Sequence, residues 1–98
     1  MTIEKTKEGQ KLNIAVLGRL DTTTAPELEA ELKSSIGDAE ELVFDFSKLE
    51  YISSAGLRVL LAAQKLMNKQ GKMLIRNANE SVMEIFEITG FTNILTIE

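Results

Sequence analysis

The sequence contains neither cysteine nor histidine in its 98 residues. Without cysteine there is no disulfide and no thiolate metal site, and the imidazole ligands of most other metal sites are missing as well. Without histidine, the Ser-His-Asp and Cys-His systems that activate a nucleophile at neutral pH cannot be built. The composition therefore argues against most small hydrolases, and we expect no metal and no cofactor.

Basic residues are too few and too scattered for a nucleic-acid surface. Eleven Lys and Arg residues against fifteen Asp and Glu residues give a net charge of −4, whereas phosphate backbones are bound by clustered cations. The first six residues lack the apolar segment of a signal peptide, and no apolar run approaches the roughly 20 residues that span a bilayer. We therefore expect a cytoplasmic protein, a monomer when free, that binds neither nucleic acid nor a membrane.

Strand and helix periodicities alternate along the chain. Residues 2–17 are typical of a hairpin, and Gly18 is expected to end its second strand. Thr24 and Glu27 form a capping box that starts a first helix, and Gly37 ends it. The remaining segments are a strand at 42–46, a loop at 47–53, a helix from about Ser54 to Lys69, a strand at 72–76, a helix capped by Asn77 or Asn79, and a strand at 94–97.

This order, β-β-α-β-α-β-α-β, predicts an α/β domain over residues 1–98. Strands that alternate with helices favour right-handed crossovers and a mixed, mostly parallel sheet, to which the opening hairpin adds an antiparallel strand. The strands alternate apolar and polar residues, whereas a sheet covered on both faces would show continuous apolar runs. We therefore expect the helices mainly on one face. The second helix has an apolar stripe wide enough to pack on two sides.

The segment Asp45–Leu61 places two serines at the start of a buried helix. The first turn of a helix presents free N–H groups and the positive end of the helix dipole, which together stabilise an anion. Serine is also a favoured N-cap, so Ser53 and Ser54 each have a purely structural explanation. Gly56 costs the helix about 1 kcal/mol relative to alanine. We interpret it as leaving the backbone bare for close approach by another protein.

Three motifs resemble those of the STAS-domain anti-sigma factor antagonists. The run Tyr51–Leu61 is similar to the signature in which a phosphorylatable serine precedes a small residue, a glycine and a leucine. Gly18-Arg19-Leu20-Asp21 resembles the family's Gly-x-Leu-Asp turn, and Gly90-Phe91 resembles its Gly-Leu/Phe step. The predicted order of elements fits a STAS-like domain over nearly the whole chain.

By position, the resemblance implies that Ser54 is the phosphorylated residue. Many family members have aspartate immediately before the acceptor, and this chain has Ser53, so Ser53 remains the alternative acceptor. Asp21 matches an acidic residue on the neighbouring loop, where it would help to form the partner-binding face. The full set of residues assigned to that face is Asp21, Thr22, Ser53, Ser54, Ala55, Gly56, Leu57 and Arg58.

The family role implied by the resemblance is a partner switch. The unphosphorylated protein binds an anti-sigma factor that is also a serine kinase, and so releases a sigma factor; phosphorylation breaks the complex, and a PP2C-type phosphatase restores it. The protein itself is then not an enzyme. Two alternatives stay open: a STAS module that only binds, within a sensory or lipid-transport assembly, and an enzyme that uses Ser54 with Lys48 or with paired carboxylates. Neither a Walker-type loop nor a metal-ligand spacing supports the enzyme.

Overall fold

Strands and helices alternate along residues 1–98 of the computed structural model. The strands are β1 (Thr2–Glu8), β2 (Lys11–Leu20), β3 (Glu41–Asp45), β4 (Leu49–Ile52) and β5 (Lys72–Arg76). The helices are α1 (Ala25–Ser35), α2 (Ser54–Gln70) and α3 (Glu80–Thr89), and a 3₁₀ turn follows at Phe91–Asn93. The predicted α/β architecture is confirmed. No helix combines the length and the apolar run that crossing a membrane requires.

The sheet is antiparallel at one edge and parallel elsewhere. β1 and β2 form the predicted hairpin, which turns at Gly9 with a φ of +60° that favours glycine. The strand order is β1-β2-β3-β5, and β4 pairs in parallel with the last residues of β2. Because β2 to β5 are parallel, their carboxyl ends meet at one end of the sheet. We call this the carboxyl end.

The apolar residues that alternate along the strands form the core under the helices. Leu12, Ile14 and Val16 of β2 are at most 2% exposed, and the buried rings of Phe44 and Phe46 lie 5.6 Å apart. The polar residues between them lie on the opposite face and are partly exposed. The helices thus cover one face, as predicted. α2 contacts α1 as well as β4 and β5, which accounts for its wide apolar stripe.

Two elements differ from the prediction. Residues 49–52 were predicted as loop but form β4, and β2 continues past Gly18 to pair with it across a bulge. Residues 94–97 were predicted as a strand but contribute a single parallel bridge, between Ile75 and Ile97. The N–H groups of Ile94 and Leu95 donate to Phe91 O at 3.0 and 2.8 Å, so these two residues continue the turn and do not pair with β5.

Two of the three predicted helix starts are refined by the structure. Thr24 precedes α1, but its hydroxyl accepts a hydrogen bond from Asp21 N at 2.8 Å and donates one to Arg19 O at 2.9 Å, so no capping box with Glu27 forms. For α3 the cap is Asn79, whose Oδ1 accepts from Val82 N at 2.8 Å.

Candidate functional site: the start of helix α2

The two segments singled out by the sequence meet at the carboxyl end of the sheet. Leu20 of β2 and Ile52 of β4 are partners in the parallel register, so Asp21 and Ser53 leave the sheet side by side. A hydrogen bond of 2.9 Å from Ser53 N to Leu20 O joins the two segments. The exposed or partly exposed residues Arg19, Asp21, Tyr51, Ser53 and Ser54 therefore share one region, which we call the Ser54 surface.

The two serines have different environments. Ser53 has extended backbone and is the N-cap of α2, with its Oγ accepting a hydrogen bond from Gly56 N at 3.4 Å. Ser54 is the first residue of the helix; its side chain is exposed, and its hydroxyl makes no hydrogen bond within the chain. Ser53 is thus used by the protein's own backbone, while the Ser54 hydroxyl is available to another molecule.

Gly56 lies beneath the Ser54 surface and is buried. A Cβ at this position would come within 2.7 Å of Leu20 Cγ and 2.8 Å of Ile52 Cγ1, closer than side-chain atoms approach one another in folded proteins. Leu20 and Ile52 are 0% and 1% exposed, so neither has room to move away. Glycine is needed here so that α2 can pack onto the ends of β2 and β4. The interpretation that it bares the backbone for a partner does not fit its burial.

The other residues assigned to the partner-binding face divide by exposure. Thr22 and Arg58 are exposed, Ala55 is partly buried, and Leu57 belongs to the hydrophobic core at 5% exposure. Leu57, like Gly56, can influence a partner only through the residues it positions. Arg58 lies one helical turn after Ser54 and forms no ion pair within the chain. The roles of these residues in binding stay predictions.

Asp21 is bound within its own loop. Its Oδ1 accepts hydrogen bonds from the Thr23 hydroxyl at 2.7 Å, from Thr23 N at 3.0 Å and from Thr24 N at 3.2 Å. These bonds, and first of all the one from the Thr23 hydroxyl, lower the pKa of Asp21 below its ordinary value. The carboxylate is therefore charged at neutral pH, and it fixes the shape of the loop beside Ser54.

Sequence reasoning missed a pair of residues on this surface. Arg19 and Tyr51 are register partners on β2 and β4, and the guanidinium carbon of Arg19 lies 4.5 Å from the centroid of the Tyr51 ring. Their contact depends on β4, which was predicted as loop. The sequence signal that could have revealed it, a pair of strands extending to Leu20 and Ile52, is weak because β4 has only four residues.

Comparison with known proteins shows the family. The model of the STAS domain matches residues 2–98, so the chain belongs to the STAS domain family. This is the family that the Tyr51–Leu61 motif resembles, and the mixed sheet with three helices is the architecture expected of it.

Named relatives are similar over most of their length. BtrV of Bordetella bronchiseptica, a candidate anti-sigma factor antagonist by name, is 42% identical over 82 residues, covering 82% of this chain and 71% of BtrV. The anti-sigma-B factor antagonist of Bacillus subtilis is 29% identical over 87 residues, covering 88% of this chain and 80% of that protein.

The Bacillus anti-sigma factor antagonist SpoIIAA has the same fold. Its unphosphorylated and phosphorylated forms match with TM-scores of 0.78 and 0.77, at 15% and 16% identity. Both matches cover 99% of this chain, with 87% and 91% of SpoIIAA.

Proposed function

We propose that this protein is an anti-sigma factor antagonist that works by partner switching in the cytoplasm. The unphosphorylated protein binds an anti-sigma factor that is also a serine kinase, and a sigma factor is released. Phosphorylation of Ser54 with ATP ends the complex, and a PP2C-type phosphatase restores it. The names of the relatives support the role, and the exposed, unbonded hydroxyl of Ser54 at the start of α2 is the observation that supports the site.

The contrast between the two serines favours Ser54 as the acceptor. A kinase needs a hydroxyl that its active site can reach and that is not bonded within the protein. The Ser54 hydroxyl has no partner to give up, whereas phosphorylation of Ser53 would remove the cap of α2. The helix N-terminus beside both residues stabilises a phosphate once it is formed.

Electrostatics and desolvation explain how one phosphate can end the complex. A phosphoserine adds about −1.5 to −2 charges at neutral pH. In the free protein, water and the first-turn N–H groups of α2 stabilise that charge. In a complex the water must be removed, and an unpaired charge buried in an interface costs several kcal/mol. The fold that this chain shares with both forms of SpoIIAA supports a switch without refolding.

We propose further that the chain is a substrate of catalysis and not itself an enzyme. The Ser54 hydroxyl forms no hydrogen bond with a side chain that could act as its base. Lys48, the lysine considered for that role, precedes β4 while Ser54 follows it, so the length of a strand separates them.

Phosphorylation can be tested with the anti-sigma factor, which the unphosphorylated protein is used to capture from a lysate of the native cell. Incubation with this kinase and ATP should add one phosphate, on the peptide that holds Ser53 and Ser54. The Ser54→Ala variant should take up no phosphate, while the matched Ser53→Ala variant should still be modified. An unchanged intact mass, with a kinase shown to be active on another substrate, would favour the STAS module that only binds.

The effect of charge can be tested with two substitutions at the same position. Ser54→Asp should weaken binding to the anti-sigma factor by roughly tenfold or more, because it places a charge inside the interface. Ser54→Ala, which adds no charge, should bind like the unmodified protein. Titration calorimetry of both variants gives the comparison, and equal affinities would contradict the idea that charge at residue 54 is the switch.

A further inference from the structure

Arg19 is exposed and yet contacts two other side chains of its own chain. Its guanidinium rests on the face of Tyr51, 4.5 Å from the ring centroid, and its Nε lies 3.7 Å from Asp21 Oδ2. The electron-rich face of an aromatic ring attracts a cation in this geometry. The stack follows from the register of β2 with β4, and the Arg19 side chain remains 60% exposed.

The hydrogen-bonding capacity of this guanidinium is unused within the chain. Asp21 approaches Nε only, at a distance beyond a hydrogen bond, and its Oδ1 is already bonded to Thr23 and Thr24. The two terminal amino groups of Arg19 have no acceptor. They form a planar fork, which matches the two oxygens of a carboxylate in a bidentate pair.

The stack also has the composition of an interface anchor. Arginine and tyrosine are among the residue types that contribute most to binding where proteins meet. A side chain that is ordered before binding loses less conformational freedom on binding. Arg19 contacts both Tyr51 and Asp21, and Asp21 leaves β2 beside Ser53, so the stack adjoins the site of the proposed phosphorylation.

We propose that Arg19, stacked on Tyr51, is the anchor that binds an Asp or Glu carboxylate of the anti-sigma factor. This inference rests on the proposed function and adds the chemistry of the partner's contact. It separates the tasks on the Ser54 surface: Asp21 fixes the loop and aligns Arg19, Arg19 binds the partner, and Ser54 carries the switch.

Arg76 offers a matched control. It is also an arginine at the carboxyl end of a strand, with its side chain 54% exposed, but its Nε lies 3.2 Å from Glu98 Oε1. Its Nε is closer to a carboxylate than that of Arg19, and Arg76 lies on β5, which does not pair with β2 or β4. Removing it changes the net charge by the same amount as removing Arg19.

The experiment measures the affinity of the full chain for the purified anti-sigma factor by titration calorimetry at low and high salt. Arg19→Ala should weaken binding at least tenfold and reduce its salt dependence. The affinity of Arg19→Lys should lie between those of Arg19→Ala and the unmodified chain, because lysine keeps the charge but not the fork. Arg76→Ala should stay within about twofold of the unmodified chain. Thermal unfolding of each variant checks that the fold is intact.

A charge exchange identifies the partner group. Arg19→Glu should abolish binding, and an Asp→Arg or Glu→Arg substitution on the anti-sigma factor should restore it. If Arg19→Ala binds as tightly as Arg76→Ala, Arg19 is not the anchor. If no substitution of an acidic residue on the anti-sigma factor restores binding to Arg19→Glu, the partner group is not a carboxylate. If the unmodified chain does not bind the anti-sigma factor at all, the proposed function fails, and this inference fails with it.

Discussion

Replacing Gly56 by alanine tests whether this glycine serves packing or contact with a partner. The position is in the first turn of α2, directly above the ends of β2 and β4. A methyl group there would lie 2.7 Å from Leu20 Cγ and 2.8 Å from Ile52 Cγ1. Leu20 Cγ is the branch point of its side chain and Ile52 Cγ1 is bonded directly to the branched Cβ. Neither atom is the free end of its buried side chain, so the contact cannot be relieved by a small rotation of a chain end.

Two opposing effects set the change in stability that Gly56→Ala causes. Alanine is favoured over glycine within a helix by about 1 kcal/mol. An extra carbon forced into a packed core costs about 1–3 kcal/mol. Since both contacts involve immobile neighbours, we expect a cost near the upper end and a net loss of about 1–2 kcal/mol. In a domain of this size, each kcal/mol lowers Tm by about 4–8 °C.

Urea unfolding followed by circular dichroism measures this loss. The control is Ala62→Gly, at an exposed position of the same helix. It should lower stability by about 1 kcal/mol through helix propensity alone. If propensity decided the outcome at both sites, the two substitutions would have opposite signs. Packing predicts that both destabilise.

A Gly56→Ala variant at least as stable as the unmodified protein would refute the packing argument. A further check uses Leu20→Ala, which removes the nearest atom. In that background the added methyl group should cost less, since part of the overlap is gone. An unchanged cost would mean that another contact is responsible.

Two other changes test the assignments around Ser54. Ser53→Ala should lower the free energy of unfolding by about 0.5–1 kcal/mol, the lower part of the range for a cap because its hydrogen bond is long, whereas Ser54→Ala should stay within about 0.5 kcal/mol; equal losses in urea unfolding would contradict the cap assignment. Asp21 has a lowered pKa in the folded state, chiefly through the Thr23 hydroxyl, so the stability it contributes is present above its unfolded-state pKa and is lost as pH falls through the folded-state pKa. Asp21→Asn should therefore lose less stability than the unmodified protein when the pH is lowered from about 6 to about 3. Urea midpoints that fall by the same amount in the two proteins would count against this role.

The periodicity of the long elements was sufficient to predict the α/β architecture and the single covered face of the sheet. The alternation of Leu12, Ile14 and Val16 indicated a sheet with one covered face, and the burial of these residues confirms it. β4 was not predicted because its four residues do not alternate: Leu49 and Ile52 are buried, while Glu50 and Tyr51 between them are exposed. Such a strand exists because β2 provides a partner, which no local pattern can show.

The details of the site depended on contacts between distant segments. The local sequence is consistent with a capping box of Thr24 and Glu27. Asp21 and Thr24 instead form a competing set of hydrogen bonds between residues that are equally close in sequence. Gly56 was read as a feature of the surface, because its overlap with Leu20 becomes visible only when β2 and α2 are packed together. Spacing along the chain can propose which residues meet, but the atoms that limit their approach come from the tertiary structure.

In the proposed mechanism, the fixed position of Ser54 would allow a single phosphate to act as a switch. Ser53, just before it, is bonded through its backbone N–H to Leu20, and Gly56 holds the first turn of α2 against Leu20 and Ile52. The start of the helix therefore has no freedom to withdraw a phosphate from the surface. Water stabilises the charge in the free protein and must be removed in the complex. Under the proposed mechanism the penalty falls on the complex alone, and the protein would need no second conformation to release its partner.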